Sequence, residues 1–261
     1  MYRHPDIDNG CAFDWERASV DYAKYRDIYP ASFYERLREF GIGLPGQHVL
    51  DLGTGTGVLP RAMAPAGARF TGVDISVEQI EQARALSAGL PIAYLVRPAE
   101  EIDFPPGTFD AATACQCFPY FDRAALLPKV HRALKPGGRF AILSMTWLVE
   151  ESGVVAESER LVLKYNPNWT GGNFPKMLSL PVPRWAAPLF EVLPGALYCE
   201  DVPFSRAAWH GRMLACRGIG ASNLSREQIA AFEAGHLAYL ATLPECFTIP
   251  HQMMMVILKK Q

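Results

Sequence analysis

Residues 49–57 read VLDLGTGTG, a run with one acid followed by three glycines at alternate positions. Residues 48–52 predict a short buried strand, and a helix is expected from about Val58 to Ala66. Glycine has no Cβ, so a glycine-rich backbone can turn through positive φ and approach a ligand closely. Because open α/β sheets bind ligands at the carboxyl ends of their strands, the run predicts a ligand-binding loop. The alternative is an ordinary strand-to-helix turn that binds nothing.

A second acid, Asp74, ends the next predicted strand, RFTGVD at 69–74, and is placed to bind two ribose hydroxyls. The glycine spacing separates two kinds of nucleotide cofactor. A dinucleotide fingerprint needs its third glycine three positions after the second, at position 58, where this chain has Val. Asp51 would also repel a pyrophosphate, whereas it suits a cationic ligand. The loop therefore favours a positively charged cofactor over a dinucleotide.

Composition excludes several other classes of protein. The chain has 261 residues, 49% of them hydrophobic, with a net charge of −2, which is typical of a globular protein with an ample core. Lys and Arg are scattered, which argues against a nucleic-acid surface. No apolar stretch is long enough to span a bilayer, and the start lacks the features of a signal peptide, so a cytoplasmic location is expected. The six cysteines show no zinc spacing, so free thiols and no metal are predicted.

Strands and helices alternate along the first half of the chain, which predicts a parallel sheet with helical crossovers. An aromatic-rich helix or helical hook is expected over 13–28, and a second helix over 31–40. The strands are predicted at 48–52, 69–74, 92–97, 109–115 and 138–147, with helices at 57–66, 77–88 and 122–134. After these come a helix at 150–165, a sixth strand at 197–204, helices at 206–216 and 225–242, and a last strand at 253–258.

Four segments follow from this reading. They are an N-terminal helical lid (1–44), a cofactor-binding core (45–147), a cap insertion rich in Pro, Trp and Gly (148–196), and C-terminal elements that complete the core (197–261).

From about residue 49 to residue 140 the chain resembles class I S-adenosylmethionine-dependent methyltransferases, in the small-molecule branch related to ubiquinone and sterol methyltransferases. The resemblance is carried by the D-x-G-x-G-x-G signature that starts at Asp51, by Asp74, and by the segments AEE (99–101), FD (109–110) and KPGG (135–138). It implies an α/β, Rossmann-like, doubly wound sheet of seven strands. Most strands would be parallel, with the last antiparallel beside the fifth, and helices would cover both faces.

The resemblance also implies a cofactor, S-adenosylmethionine, and a set of residues that bind it. The loop residues would line its methionine portion, Asp74 its ribose, and the positions after the second and third strands its adenine, with Gln116 near the transferable methyl group. Pro98 departs from the family, which often has a polar residue there. The residues implied on these grounds are Asp51, Gly53, Thr54, Gly55, Asp74, Ile75, Ala99, Glu100 and Gln116.

The segment YAKYRDIYP at 22–30 resembles a Tyr-x-x-x-Arg-x-x-Tyr-Pro pattern that precedes this fold in many relatives. By that resemblance Arg26 would pair with the cofactor carboxylate, because its planar guanidinium is a bidentate donor. A surface arginine is the alternative. Tyr22 and Tyr25 would form an aromatic roof near the sulfonium, or else simply pack in the core.

The sequence therefore predicts a methyltransferase that acts on a small-molecule acceptor by in-line transfer. His210, beside Trp209 and Arg212, is the candidate general base. Cys115 and Cys117 would share one strand face, either at the crevice or as ordinary packing. Two rival functions stay open. One is a cofactor-binding regulator or scaffold without turnover, and the other is an NAD-dependent oxidoreductase.

Overall fold

A computed structural model describes all 261 residues of the chain. Eight α-helices are present. Most are preceded by an N-cap residue whose side chain accepts a hydrogen bond from a backbone amide of the first turn, as Ser76, Asp122 and Ser225 do. In chain order they are α1 (Ser19–Tyr25), α2 (Ala31–Glu39), α3 (Val58–Met63), α4 (Val77–Leu86), α5 (Arg123–Ala133), α6 (Gly153–Tyr165), α7 (Arg206–Leu214) and α8 (Arg226–Leu240).

The seven strands form one sheet. They are β1 (His48–Leu52), β2 (Arg69–Asp74), β3 (Ile92–Val96), β4 (Phe109–Cys115), β5 (Leu134–Trp147), β6 (Phe190–Ser205) and β7 (Cys246–Lys260).

The strand order is β3-β2-β1-β4-β5-β7-β6, so the last strand lies beside the fifth. β1 pairs in parallel with both β2 and β4, while β2 pairs with β3 and β4 with β5 in the same sense. Six strands are parallel and the last is antiparallel, which confirms the predicted fold class. β2 and β3 follow β1 on one side of it, and β4 and β5 are then added on its other side. The strand order therefore reverses between β1 and β4, and doubly wound sheets bind ligands at such a switch point.

Residues group into two compact units. The sheet unit comprises Tyr29–Met145, Met177–Tyr198 and Met253–Gln261, and the second unit comprises Met1–Ile28, Thr146–Lys176 and Cys199–Gln252.

This grouping divides the chain differently from the four predicted segments. Parts of the predicted cap (148–196) fall in both units, and the predicted lid (1–44) is divided between them after Ile28. Ala186 and Phe190 are buried in the same hydrophobic cluster as Leu50 and Phe140, which explains why 177–198 groups with the sheet. β6 and β7 are also longer than predicted, at 16 and 15 residues.

Two local predictions need correction. Of the helix or helical hook expected over 13–28, a continuous helix is wrong, because Asp14 caps a short 3₁₀ turn at Trp15–Ala18 and the α-helix begins only at Ser19. The strand expected from 138 begins at Leu134. Leu134 pairs with Phe109 and Arg139 with Ala111, so the KPGG segment lies in a register shift inside β5 and not before it.

Helix length and hydropathy bear on membranes. None of the helices combines the length and the apolar character needed to cross a bilayer.

Candidate functional site

Asp51 is the centre of the site. It is the fourth residue of β1, the central strand of the parallel part of the sheet, and it pairs with Gly72 on one side and Thr113 on the other. The side chain is buried, and both oxygens accept hydroxyl hydrogen bonds. Thr54 donates to Oδ2 at 2.7 Å, and Thr113 donates to Oδ1 at 2.6 Å. Burial raises the pKa of Asp51 to about 6, and the two hydroxyls oppose that rise.

Asp74 fixes the loop to the next strand. Its Oδ2 accepts from the Gly55 amide at 2.8 Å, and its Oδ1 accepts from the Ser76 amide at 3.0 Å. Ser76 in turn caps α4 by accepting from Gln79. Burial raises the pKa of Asp74, and the backbone amides lower it. The carboxylate therefore holds the glycine loop and the start of α4 in one arrangement at the carboxyl end of β2.

Gly53 is required by packing as well as by conformation. Its φ is +60°, which favours glycine, and a Cβ on it would lie 2.8 Å from both Cβ and Sγ of Cys117. The Cys117 thiol donates to the Leu52 carbonyl at 3.0 Å, so it is fixed under the loop. The loop backbone is therefore held against the segment after β4, and this contact needs no ligand.

Gly57 is the N-cap residue of α3 and has a φ of +74°. A Cβ there would collide with the Tyr94 hydroxyl, which is hydrogen-bonded to Ser87 at 2.8 Å. The last glycine of the loop thus leaves room for a tyrosine from β3.

Gln116 turns the chain sharply after β4. Its φ is +64°, which is uncommon outside glycine, and its side-chain amide nitrogen Nε2 donates to the Met145 carbonyl at 2.5 Å. Because the chain bends here, Cys115 and Cys117 do not continue one strand face as predicted. The Cys115 thiol contacts the Tyr29 hydroxyl at 3.3 Å, whereas the Cys117 thiol faces Leu52. Burial raises the pKa of Cys117 well above its usual value, so this thiol stays protonated.

The predicted adenine-binding residues follow the paired ends of β2 and β3, where Asp74 pairs with Val96. Ile75 is 56% exposed beside the loop. Ala99 is buried in a short 3₁₀ turn, and the Glu100 carboxylate accepts from the Asp122 amide at 2.9 Å, at the start of α5.

Hydrogen bonds therefore join Thr54 to Asp51 and Gly55 to Asp74, and Gly53 lies in the same loop. Ile75, Ala99 and Glu100 lie along the same sheet edge.

Three predicted residues belong to the second unit. The Arg26 guanidinium lies 4.7 Å from the centre of the Tyr22 ring and donates to its hydroxyl at 3.2 Å. His210, on α7, shares a hydrogen bond of 2.9 Å between its Nδ1 and Nδ1 of His236. Burial lowers the pKa of His210, although Glu233 and Asp21 act in the opposite direction.

Sequence reasoning missed Thr113, the second hydroxyl on Asp51. A signal was present, because Thr113 is a lone hydroxyl in the apolar strand FDAATAC, in which a buried polar group needs a partner. It also missed Ser76 as the residue that joins Asp74 to α4.

This arrangement suits a cation. Two carboxylates with raised pKa lie at the switch point of the sheet, one satisfied by hydroxyls and the other by backbone amides. A pyrophosphate would meet both negative charges. A sulfonium and an ammonium group would instead be stabilised by them, so S-adenosylmethionine fits the donor set and a dinucleotide does not.

Comparison with known proteins agrees with this geometry. Residues 49–138 match the model of a family described as methyltransferase domain. Ubiquinone biosynthesis O-methyltransferase of Idiomarina loihiensis is 37% identical over 137 residues, which cover 49% of this chain and 54% of the relative. The enzyme of the same name from Pseudomonas aeruginosa is 34% identical over 129 residues, covering 48% and 54%. The chain therefore spans about half the length of the curated relatives that it matches.

Among solved structures, a provisionally named type II methyltransferase from Anaeromyxobacter dehalogenans superposes with a TM-score of 0.58. The two chains are 20% identical, and 90% of this chain and 97% of that chain are covered. This likeness extends the shared fold beyond the matched segment to nearly the whole molecule. Residues 49–138 are thus similar in sequence to methyltransferase domains, and the chain shares the fold of a solved structure that bears a methyltransferase name.

Proposed function

We propose that this protein is an S-adenosylmethionine-dependent methyltransferase that acts on a small-molecule acceptor. The observation that supports this most is the Asp51 carboxylate, buried at the switch point and held by the hydroxyls of Thr54 and Thr113. An ionised carboxylate in such a place is costly unless a positive charge meets it. The match of residues 49–138 to the methyltransferase domain family supports the same function.

The cofactor-binding roles follow from the family resemblance. Asp51, Gly53, Thr54 and Gly55 would hold the methionine portion, and Asp74 would hold the ribose. Ile75, Ala99 and Glu100 would contact the adenine, and Gln116 would serve the methyl-transfer end. By the same resemblance Tyr22 and Arg26 would also bind the cofactor, and His210 would accept a proton where the acceptor has one to lose.

When bound, S-adenosylmethionine supplies a methyl group already activated by the sulfonium. The chain therefore needs to align the acceptor and exclude water, and no nucleophilic side chain is required. Asp51 balances the positive charge, while Asp74 keeps the loop and α4 in register with it. Gln116 is held on Met145, so its side chain is positioned before any ligand enters.

Thermal shift with S-adenosylhomocysteine and with NAD separates the cofactor classes. We expect the melting temperature to rise with S-adenosylhomocysteine and to stay unchanged with NAD, and the reverse result would overturn the proposal.

Transfer itself is tested with a deuterated methyl donor. The protein is incubated with CD₃-labelled S-adenosylmethionine and a small-molecule extract, and products are sought by mass spectrometry. A labelled small molecule is the expected result. Cofactor binding without any labelled product, from extracts of several sources, would favour the regulatory alternative.

A further inference from the structure

Two histidines of the second unit share a hydrogen bond, and we call them the histidine pair. His210 lies on α7 and His236 on α8, and their Nδ1 atoms are 2.9 Å apart. The other ring nitrogen of His236, Nε2, lies 3.0 Å from the hydroxyl oxygen of Ser158 on α6. His236 and Ser158 are fully buried. The pair therefore ends a hydrogen-bonded chain that begins on α6, and the whole chain lies in the second unit.

Ser158 decides which way the protons of this chain point. Its hydroxyl oxygen lies 2.7 Å from the Val154 carbonyl oxygen, and a carbonyl only accepts, so the single hydroxyl proton lies between these two oxygens. The Trp209 indole nitrogen only donates, and it donates to the same hydroxyl at 2.9 Å. The hydroxyl can only accept from its third neighbour. Nε2 of His236 therefore carries a proton and donates it to Ser158.

The proton on Nε2 determines the state of both rings. It leaves Nδ1 of the neutral His236 ring with a lone pair. Because two nitrogens 2.9 Å apart need one proton between them, Nδ1 of His210 donates to Nδ1 of His236. The neutral His210 ring then has its own lone pair on Nε2. An imidazole in water favours the opposite tautomer, with its proton on Nε2, so the pair holds His210 in the less common form.

Packing and burial keep His236 in this state. The fully buried Phe232 ring stacks on both histidines, with its centre 5.2 Å from that of His236 and 6.5 Å from that of His210. Burial and the neighbouring His210 lower the pKa of His236 to about 3, although Glu157 on α6 acts in the opposite direction. A second proton on His236 would also set two N–H groups against each other. His236 therefore stays neutral and cannot itself take up a proton near pH 7.

Nε2 of His210 lies at the more open end of the chain. It is 3.9 Å from Oε1 of Glu233, whose side chain is 40% exposed. Burial lowers the pKa of His210, and the carboxylates of Glu233 on α8 and Asp21 on α1 raise it. A proton added at Nε2 would therefore meet a negative charge, which stabilises the imidazolium. His210 can gain a proton where His236 cannot.

We propose that Ser158 and His236 are positioning residues that fix His210 as a base whose proton-accepting atom is Nε2, and that Glu233 balances the imidazolium. This inference rests on the proposed function, in which His210 takes the proton of the methyl acceptor. That proton forms a new N–H bond with the Nε2 lone pair. The bond from Nδ1 of His210 to His236 stays intact, so the ring gains its charge without turning.

Nitrogen-15 NMR of the full-length wild-type protein at about pH 8 reads these protons directly, because ring nitrogen shifts distinguish a protonated nitrogen from a bare one. We expect His210 to carry its proton on Nδ1 and His236 to carry its proton on Nε2. The reverse arrangement in either ring would overturn the proposal. Assignment through the bonds from each backbone to its ring needs no substitution, so this measurement stands even where a variant does not fold.

Two substitutions of His236 test whether it positions His210. His236→Phe keeps a ring against Phe232 but removes the acceptor, so the His210 proton should move to Nε2, beside Glu233. His236→Asn places an amide oxygen near the former Nδ1, so His210 should keep its proton on Nδ1. A merely structural role would give the same His210 tautomer in both variants. His131→Phe is the matched control, because His131 also contacts a ring, that of Phe190 at 5.5 Å, in the sheet unit.

Glu233→Gln tests the partner of the imidazolium. The pKa of His210, followed by NMR titration, should fall below its wild-type value, because the variant lacks a carboxylate that raises it. Glu227→Gln is the control, since Glu227 lies in the first turn of the same helix and its carboxylate accepts from Ser225. An unchanged His210 pKa in Glu233→Gln would remove Glu233 from the proposal.

The tautomers are measured without any ligand, so failure of this inference is distinguishable from failure of the proposed function. A labelled methyl product together with a His210 proton on Nε2 would overturn the positioning role alone. Failure of the wild-type protein to bind S-adenosylhomocysteine would contradict the proposed function, whatever the tautomers are. Circular dichroism of each variant checks that it is folded.

Discussion

The two compact units bury opposite charges. The sheet unit buries the Asp51 carboxylate beneath two threonine hydroxyls, whereas the second unit buries the Arg212 guanidinium against Trp147 and the uncharged His251 against Phe204. Asp51 is surrounded by short side chains from its own loop and from the adjacent strand. Arg212 and Trp147, in contrast, come from distant parts of the sequence, as the sequence positions 212 and 147 show.

This difference explains what a sequence motif can report. The loop at Asp51 is local, so nine consecutive residues indicate both its fold and its preference for a cation. The contacts of Arg212 with Trp147 and of His251 with Phe204 depend on tertiary packing, and no local motif indicates them. The ligand-binding loop could therefore be predicted from the sequence, whereas the buried contacts of the second unit could not.

The largest effect should come from Asp51→Asn, which tests whether the buried charge serves a ligand. Ionising Asp51 in the folded protein at pH 7 costs about 3 kcal/mol, because its pKa is raised from 3.8 to about 6. The amide should therefore raise the melting temperature, while calorimetry should show roughly a hundredfold loss of S-adenosylhomocysteine affinity. Asp110→Asn is the control, since Asp110 accepts from His48 and Lys135 away from the loop. Affinity within twofold of wild type would remove Asp51 from the site.

Gly53→Ala tests whether the loop is also fixed by packing. Gly46→Ala is the matched control, because Gly46 has a φ of +81° and open space around it. Both alanines incur a left-handed backbone cost of about 1–2 kcal/mol. Only Gly53→Ala also overlaps Cys117, so urea denaturation should show a further loss of about 2 kcal/mol. Equal losses in the two variants would mean that Cys117 moves aside freely.

Acid should destabilise the folded protein through the buried His236 of the second unit. The folded pKa of His236 is about 3, well below its ordinary value of 6.5, because of burial and the neighbouring His210. The unfolded chain therefore takes up a proton first, and stability falls as the pH drops below about 6.5, by about 2 kcal/mol at pH 5 from this group. His236→Asn should flatten the pH dependence of chemical denaturation between pH 7 and pH 5. A slope unaffected by His236→Asn would contradict the buried neutral state.

Acid should weaken cofactor binding in the sheet unit. Protonation of Asp51, whose pKa is about 6, removes the charge that meets the ligand, so affinity for S-adenosylhomocysteine should fall about tenfold between pH 7 and pH 5. The same protonation stabilises the folded state, because the folded pKa of Asp51 lies above its unfolded value. Calorimetry at several pH values should give a midpoint near 6 in the wild type and no such transition in Asp51→Asn.

The smallest effect is expected from Thr113→Val, which removes one of the two hydroxyls on Asp51. Loss of a buried donor to a carboxylate should cost about 1–2 kcal/mol at pH 7 and raise the pKa of Asp51 further. The midpoint of the pH-dependent binding should then move upward. Thr108→Val is the control, because the Thr108 hydroxyl donates to an exposed loop carbonyl. An unshifted midpoint would mean that Thr113 does not tune the acid.

Periodicity and glycine spacing predicted the sheet, so β1, β2 and β4 fall where expected, and the last strand lies beside the fifth as the resemblance implied. These patterns did not predict the length of β6 or the grouping of 177–198 with the sheet, because burial of Ala186 and Phe190 is a long-range contact. Likewise, Thr113 reaches Asp51 only through strand pairing. The bend occurs at Gln116 and not at a glycine, so no glycine in the sequence indicated it. The prediction that Cys115 and Cys117 share one strand face was therefore wrong.

The contact between Gly57 and Tyr94 constrains how this chain can vary. The Tyr94 hydroxyl occupies the volume that a side chain at position 57 would need, and Ser87 anchors that hydroxyl. Replacing the glycine alone would dislodge the tyrosine, and shrinking the tyrosine alone would leave a void. Substitutions at Gly57, Ser87 and Tyr94 should therefore be tolerated only in combination. A library of variants that randomises one of these positions alone should contain few folded members.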